Sequence, residues 1–292
     1  MSNMKVTGFS FIRNAIKYDY PIVEAIKSIL PICDEFVVAV GNSEDATLDL
    51  IKAIDPTKIK IIETVWDDNL REGGRVLAVE TNKAFKEISK DTDWCFYIQG
   101  DEALQEDFYP VVREAMEKHK DNPKVDGLLF HYKHFYGSYD YIGSSTNWYR
   151  NEIRVIKNNP EIYSYRDAQG FRKGNNEKLN VIPIDAWIYH YGWVRPPKTM
   201  LQKNSNFKSF YDGEKKQVAS NEEFDYSEID MLSLFEGKHP KVMQDRINRQ
   251  NWKFERDISI KKTSFKEAVK QFVMKLTGGY IIGEYRNYKI IK

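Results

Sequence analysis

The stretch "PIVEAIKSILPICDEFVVAVGNSEDAT" (Pro21–Thr47) decides the fold class. In its first half, Ile22, Ala25, Ile26 and Ile29 recur at i, i+3, i+4 and i+7, one face of a helix. Pro21 suits a first helical turn, where its missing N–H costs nothing, and Pro31 marks the stop. The second half, "EFVVAV" (35–40), is continuously apolar and reads as a strand buried on both faces. "GNSEDAT" is a loop-forming cluster. Outward from this unit, "MKVTGFSFI" (4–12) reads as a strand, "TLDLIKAI" (47–54) as a short helix and "KIKIIETV" (58–65) as a strand. A helix follows over 70–89, with Leu77, Thr81, Ala84, Phe85 and Ile88 on one face and Asp68 or Asn69 as its cap. "WCFYI" (94–98) is a fourth strand. Strand and helix thus alternate four times, which predicts βαβ units and a mostly parallel sheet.

In open sheets of this kind, ligands bind beyond the carboxyl ends of the strands. Three polar clusters fall there: "RN" (13–14), "GNSED" (41–45) and "QGDE" (99–102). The last poses a physical question, because Asp101 and Glu102 stand at the tip of a buried strand, a poor place for uncompensated charge. Either they leave the core for water and cap the helix starting near Glu106, or something cationic meets them.

Bulk properties bound the answer. A chain of 292 residues, 41% hydrophobic, buries a sizeable core. Lys+Arg 44 against Asp+Glu 43 leaves a net charge of +1, so no global basic field exists for nucleic acid. No apolar run approaches the roughly 20 residues that span a bilayer, and the first residues lack the apolar core of a secretion signal. Cys33 and Cys95 lie far apart in apolar surroundings and read as reduced core residues of a cytoplasmic protein.

The later chain is less regular. "DGLLFHYKHFYG" (126–137), "EIRVIKN" (152–158) and "AWIYHYGWV" (186–194) read as strands, and 164–180 as a polar loop. Residues 198–256 carry helical patches and much charge. Ser264 and Glu267 form a capping box for a helix whose apolar face holds Phe265, Ala268, Val269, Phe272, Val273 and Leu276. Residues 258–292 hold seven Lys and one Arg against two Glu. Such a basic amphipathic helix either packs on the body or lies on an anionic membrane.

The segment from "FIRN" to "ATLDLI" resembles the opening of family two glycosyltransferases of the GT-A fold. That family often reads Arg-Asn-Glu after the first strand; here Arg13-Asn14 match and Ala15 replaces the Glu. Asp34-Glu35 match, and Ser43, Asp45 and Thr47 keep the spacing of its nucleotide loop. "FYIQGDE" resembles its strand ending in Asp-x-Asp-Glu, with Gln99 at the first Asp and Asp101 at the second. "AVETNKAF" is similar to the helix before that strand. The resemblance covers roughly residues 4–195.

It implies a GT-A nucleotide-sugar-binding and catalytic domain over 1–197, with a mainly helical extension over 198–292. It further implies a metal-dependent, inverting transferase acting in polysaccharide, lipopolysaccharide or glycoprotein assembly. The donor would be a nucleotide-sugar, the acceptor a glycan or lipid-linked group, and the place the cytoplasmic face of the membrane. Asp101, and His190 in "YHYGW", are the implied ligands of a divalent metal, Mn or Mg. Arg13, Asn14, Gly41, Asn42, Asp45, Arg75 and Gln99 are the implied donor-binding residues, Asp45 otherwise bonding its own loop. An inverting reaction needs a general base after the metal motif. Asp167 in "YRDAQGF" is the candidate, with Glu102 and Asp185 as rivals. Tyr163, Tyr165, Phe171, Trp187, Tyr191 and Trp193 offer stacking faces for a sugar, or core. His131 and His134 read as strand residues, His119 and His239 as surface residues. Gln99, Gly41 and Ala15 also suit a binding protein with catalysis lost. A nucleotidyltransferase would need a Gly-rich loop after the first strand, which is missing.

Overall fold

The computed structural model describes residues 4–70, 72–212, 221–229, 231–259, 264–277 and 285–292. The first half alternates as the sequence predicts: β1 (Val6–Ile12), α1 (Ile22–Ile29), β2 (Glu35–Gly41), α2 (Thr47–Lys52), β3 (Ile59–Thr64), α3 (Arg75–Lys86) and β4 (Trp94–Tyr97). β1 pairs in parallel with β2 and β4, and β2 with β3. The chain continues through β5 (Glu102–Leu104), α4 (Tyr109–His119), β6 (Gly127–Tyr136), β7 (Tyr141–Gly143), β8 (Asn151–Lys157), β9 (Ile162–Tyr165), β10 (Gly170–Lys173), β11 (Glu177–Lys178) and β12 (Asn180–Trp193). α5 (Pro197–Asp212), β13 (Leu232–Leu234), α6 (Gln244–Asn248), α7 (Phe265–Leu276) and β14 (Lys289–Ile290) complete it. The large sheet runs β13-β7-β6-β8-β4-β1-β2-β3, with β12 on β6 and touching β5 and β14. β8 is antiparallel to both β4 and β6 and joins the parallel half to the rest. This is a mixed α/β arrangement whose first half is parallel throughout, as the alternation predicts.

Side-chain alternation builds the two layers. Phe36, Val38 and Val40 of β2 pack with Ile22, Ala25, Ile26 and Ile29 of α1. Val37 and Ala39 point to the other face and pack with Ala84 and Phe85 of α3. A strand covered on both sides needs the continuous apolar run that β2 has. Cys33 and Cys95 are free and buried, one in each layer.

Several details depart from the sequence reading. α3 begins at Arg75 after Gly74, whose φ is 72°, so Asp68 and Asn69 do not cap it; Asp68 instead accepts from Arg13 Nη1 at 2.9 Å. Residues 164–180 are not simply a loop but contain most of a small antiparallel sheet, β9-β10-β11. His239 is not a surface residue: its ring nitrogens meet Tyr191 Oη at 2.9 Å and the Tyr139 carbonyl at 3.1 Å. The segment after residue 197 supplies strands as well as helices, β13 pairing with β7 and β14 with β12.

α7 presents an inverted helix. Ser264 Oγ accepts from Glu267 N, the predicted cap. The Glu267 carboxylate does not return to the cap; it is buried and accepts from Thr146 N at 2.7 Å and from Gln271. The polar side therefore seats the helix, and the apolar stripe faces outward: Phe265 is 87% exposed, Val269 42%, Phe272 64% and Leu276 70%. No described helix is long and apolar enough to cross a membrane.

The tip of β4 is fixed by a fully buried ion pair. Arg154 of β8 donates from Nε to Glu102 Oε2 at 2.8 Å and from Nη2 to Oε1 at 2.7 Å. Tyr132 Oη donates to Oε1 at 2.8 Å and Gln99 N to Oε2 at 3.1 Å. Neither Asp101 nor Glu102 caps the next helical turn, because Gln105 does, accepting from Asp107 N at 2.8 Å. Removing one partner of such a pair strands the other charge in the core. Arg154→Met is therefore expected to lower unfolding free energy by about 3–5 kcal/mol in chemical denaturation.

Candidate active site

A cavity of about 380 Å³ opens beyond the carboxyl ends of β1 and β4. One end is aromatic. Trp66 lies 5.8 Å from Phe11 and 5.6 Å from Phe210 of α5, ring centre to ring centre, with the Arg13 guanidinium 5.6 Å over its face. Gly41 makes this possible, since a Cβ there would stand 2.3 Å from Trp66 Nε1. Asn42 Oδ1 accepts from Trp66 N at 3.2 Å, and its carbonyl accepts from Arg13 Nε at 3.0 Å. Trp66 Nε1 is buried without a hydrogen-bond partner. Gly41 and Asn42 thus seat a tryptophan rather than line the cavity themselves.

The loop after β1 is held by the loop after β2. Asn14, with φ 56°, accepts at Oδ1 from Glu44 N at 2.7 Å and donates from its own N to Ser43 Oγ at 3.0 Å. Asp45 accepts from Lys17 N at 2.7 Å and from both the N and Oγ1 of Thr47. Asp45 is a loop clip outside the cavity lining, whereas Arg13 and Asn14 line it. Gln99 also lines it, donating to the Ala168 carbonyl at 3.1 Å.

The other end of the cavity is charged. Asp101, buried, has Oδ2 at 3.2 Å from Lys203 Nζ and 3.8 Å from Arg195 Nη2, and Oδ1 at 3.8 Å from His190 Nε2. Burial opposes ionisation there, but the neighbouring cations, Lys203 foremost, hold the carboxyl well below the usual carboxylate range. Burial lowers His190 to about 4 and His134 to about 3. His134 Nε2 faces the Tyr149 carbonyl at 2.7 Å, which only accepts, so that nitrogen carries the proton. His134 Nδ1 must then accept from His190 Nδ1, 3.0 Å away. His190 Nε2 is left as a bare lone pair aimed at the Asp101 side of the cavity.

Two acceptor atoms facing each other suit a cation. A Cβ at Gly192 would stand 2.4 Å from His190 Nε2 and 3.1 Å from Asp101 Oδ2, so the glycine keeps that space open. Asp101 and His190 therefore fit a divalent metal as two of its ligands. Among the described residues, no group of three or more His, Cys, Asp or Glu surrounds such a point. The remaining ligands would come from a bound substrate and water, the usual habit of Mg²⁺.

A second cavity, of about 1110 Å³, shares Tyr149, Asp167, Gln169 and Tyr211 with the first. Asp167 sits where they meet and accepts at Oδ2 from Tyr211 Oη at 2.9 Å. Glu102 has no free carboxylate oxygen for acid–base work, and Asp185 is exposed on β12 outside both linings. Arg75 lines the second cavity, not the first. So do Tyr163 and Tyr165, while Trp193 lines the first. Phe171 and Tyr191 are core, and Trp187 stacks near His131.

Sequence reasoning missed Trp66, Lys203, Phe210, Tyr211 and Glu152. The last lines the second cavity, is raised to about 8 by burial, and has an unpartnered buried Oε2. The family resemblance pointed to His190, but nothing in the sequence near 203 marked a site. Because the two histidines are held neutral, imidazole ¹⁵N spectra are expected to show both rings uncharged at pH 6, with the His190 proton on Nδ1. A His190 imidazolium signal at that pH would break the proton chain described above.

No family model and no curated protein matches the sequence. The structure is similar to solved ones. S. aureus TarS matches with a TM-score of 0.42 at 16% identity over 73% of this chain and 41% of that one. Glucosyl-3-phosphoglycerate synthase from Mycobacterium tuberculosis, in complex with Mn²⁺, UDP and phosphoglyceric acid, matches at 0.29 and 19% identity over 46% of this chain and 44% of that one. The 4-diphosphocytidyl-2C-methyl-D-erythritol synthase from Anaerococcus prevotii matches at 0.32 and 10% identity, over 53% and 70%. The chain thus spans less than half the length of the first two.

Proposed function

We propose that this chain is an inverting glycosyltransferase that moves a sugar from a nucleotide-sugar to a glycan or lipid-linked acceptor. The observation that carries the reading is Asp167, at the junction of two cavities of different character. The first takes the donor. Trp66, Phe11 and Phe210 offer stacking faces for a base, Arg13 and Asn14 polar contacts, and the Asp101 end receives the diphosphate. Asp101 and His190 would hold a divalent metal, which when bound supplies neutralisation of the leaving diphosphate. The second cavity takes the acceptor between Tyr163, Tyr165 and Trp148.

Asp167 is the base. It takes the proton from the acceptor hydroxyl as that oxygen attacks the anomeric carbon from the face opposite the diphosphate. Tyr211 orients the carboxylate by donating to one oxygen. Gln99 and Arg154 hold the backbone that follows Asp167, through the Ala168 and Gln169 carbonyls. Titration calorimetry with a panel of nucleoside diphosphates identifies the base. Asp167→Asn is expected to keep that affinity while turnover falls by about 10²–10⁴. Nucleotide binding without turnover in the unaltered protein would favour a binding protein with catalysis lost.

The membrane side of the proposal rests on α7. Lys270 lines the second cavity while the apolar stripe of the same helix faces out. With seven Lys in residues 258–292, this arrangement suits an anionic lipid surface, bringing a lipid-linked acceptor to the groove. Co-sedimentation with phosphatidylglycerol vesicles is expected, falling about tenfold or more on the triple change F265S/F272S/L276S and weakening with salt. Loss of a dimer instead, with no vesicle binding, would assign the stripe to a second copy.

A further inference from the structure

Three charges meet at the charged end of the donor cavity, and they do not cancel. Asp101 contributes one negative charge; Lys203 and Arg195 contribute two positive ones. The two cations differ in what they can do. Arg195 is fully buried and held by backbone: Nε donates to the Tyr18 carbonyl, in the loop after β1, at 2.9 Å and Nη1 to the Gly192 carbonyl of its own segment. Its Nη2 is buried without a hydrogen-bond partner, 3.8 Å from Asp101 Oδ2. Lys203 reaches in from α5 and lines the cavity itself. Its ammonium donates to Asp101 Oδ2 at 3.2 Å and to the Gly192 carbonyl at 2.8 Å, above the Tyr20 ring at 5.4 Å. An ammonium has three donors on a flexible stem, so the one not used by these partners can turn to a ligand.

We propose that Lys203 is the resident cation of the donor site, binding the diphosphate of the nucleotide-sugar and stabilising it as leaving group alongside any metal. Arg195 makes the exchange possible. When Lys203 turns to the phosphate, Arg195 Nη2 remains beside Asp101, so the carboxylate is not stranded. Two cations beside one carboxylate leave a net positive charge that suits an anion. The chemistry needs no further reactant: the C1–O bond to the diphosphate breaks, its electron pair goes to the bridging oxygen, and the ammonium meets the charge that develops there.

This inference rests on the donor reading of the first cavity, and its test separates the two. Titrations would use the nucleoside diphosphate identified by the panel and the corresponding nucleoside, each with Mn²⁺ and with chelator. The proteins would be the unaltered chain, Lys203→Met and Lys203→Arg. With chelator present, Lys203→Met is expected to weaken diphosphate binding about tenfold or more, as for a lost charge-assisted hydrogen bond. Nucleoside affinity should be unchanged and Lys203→Arg should recover part of the loss. Unchanged diphosphate affinity in Lys203→Met would overturn the proposal. So would an equal loss for nucleoside and diphosphate, which would mean that Lys203 only holds the cavity together. If the unaltered chain bound no nucleoside diphosphate under either condition, the donor reading itself would fall, and this inference with it.

Discussion

The Glu102–Arg154 pair is the constraint on which the site depends. Burying two full charges costs several kcal/mol per ion unless geometry and hydrogen bonding repay it. Here the repayment comes from parts of the site. Glu102 accepts from two Arg154 nitrogens, the Tyr132 hydroxyl and the Gln99 amide, while the third Arg154 nitrogen reaches the Gln169 carbonyl. One ion pair therefore fixes the end of β4, the position of Gln99, and the loop that carries Asp167. It also explains why two neighbouring carboxylates have opposite fates. Glu102 turns into the core to meet Arg154, which leaves Asp101 turned toward the cavity and its own cations.

The parts of this arrangement that were legible in the sequence were local. The spacing of Ile22, Ala25, Ile26 and Ile29 and the unbroken run of β2 report burial directly, because side-chain direction follows a fixed period in each element. The clusters at 13–14 and 99–102 could be placed at the cavity mouth for the same reason. What was not legible depends on partners distant in the chain. Arg154 lies 52 residues from Glu102 and Lys203 lies 102 from Asp101. Nothing in "MLQKNSNFKSFY" announces that Lys203, rather than Lys208, enters a site. The "GNSED" loop was legible as a loop but not in its task. Asp45 bonds Thr47 N as Asx side chains do in turns, Asp45 and Asn14 also tie the two loops together through Lys17 N and Glu44 N, and Gly41 matters for the indole that rests on it.

The loop of Asp167 shows how the fold holds an awkward backbone where it is useful. Arg166 and Ala168, on either side, have φ of 54° and 63°, a region that non-glycine residues enter only at a cost of about 1–3 kcal/mol. Such strain survives where surrounding contacts over-determine it. Here Gln99 holds the Ala168 carbonyl, Arg154 holds that of Gln169, Tyr211 holds the Asp167 carboxylate, and Ala168 is buried against Trp66, Val76 and Leu77. Two consequences follow. Relaxing the loop would require breaking the buried ion pair or the aromatic wall, so the carboxylate position is coupled to both. And Tyr211 and Phe210 come from α5, the helix that also carries Lys203, so one helix supplies part of the aromatic wall, the cation and the support of the Asp167 carboxylate. A shift of α5 would move all three together, which makes that helix, more than any loop, the element through which substrate occupancy could be felt across the site.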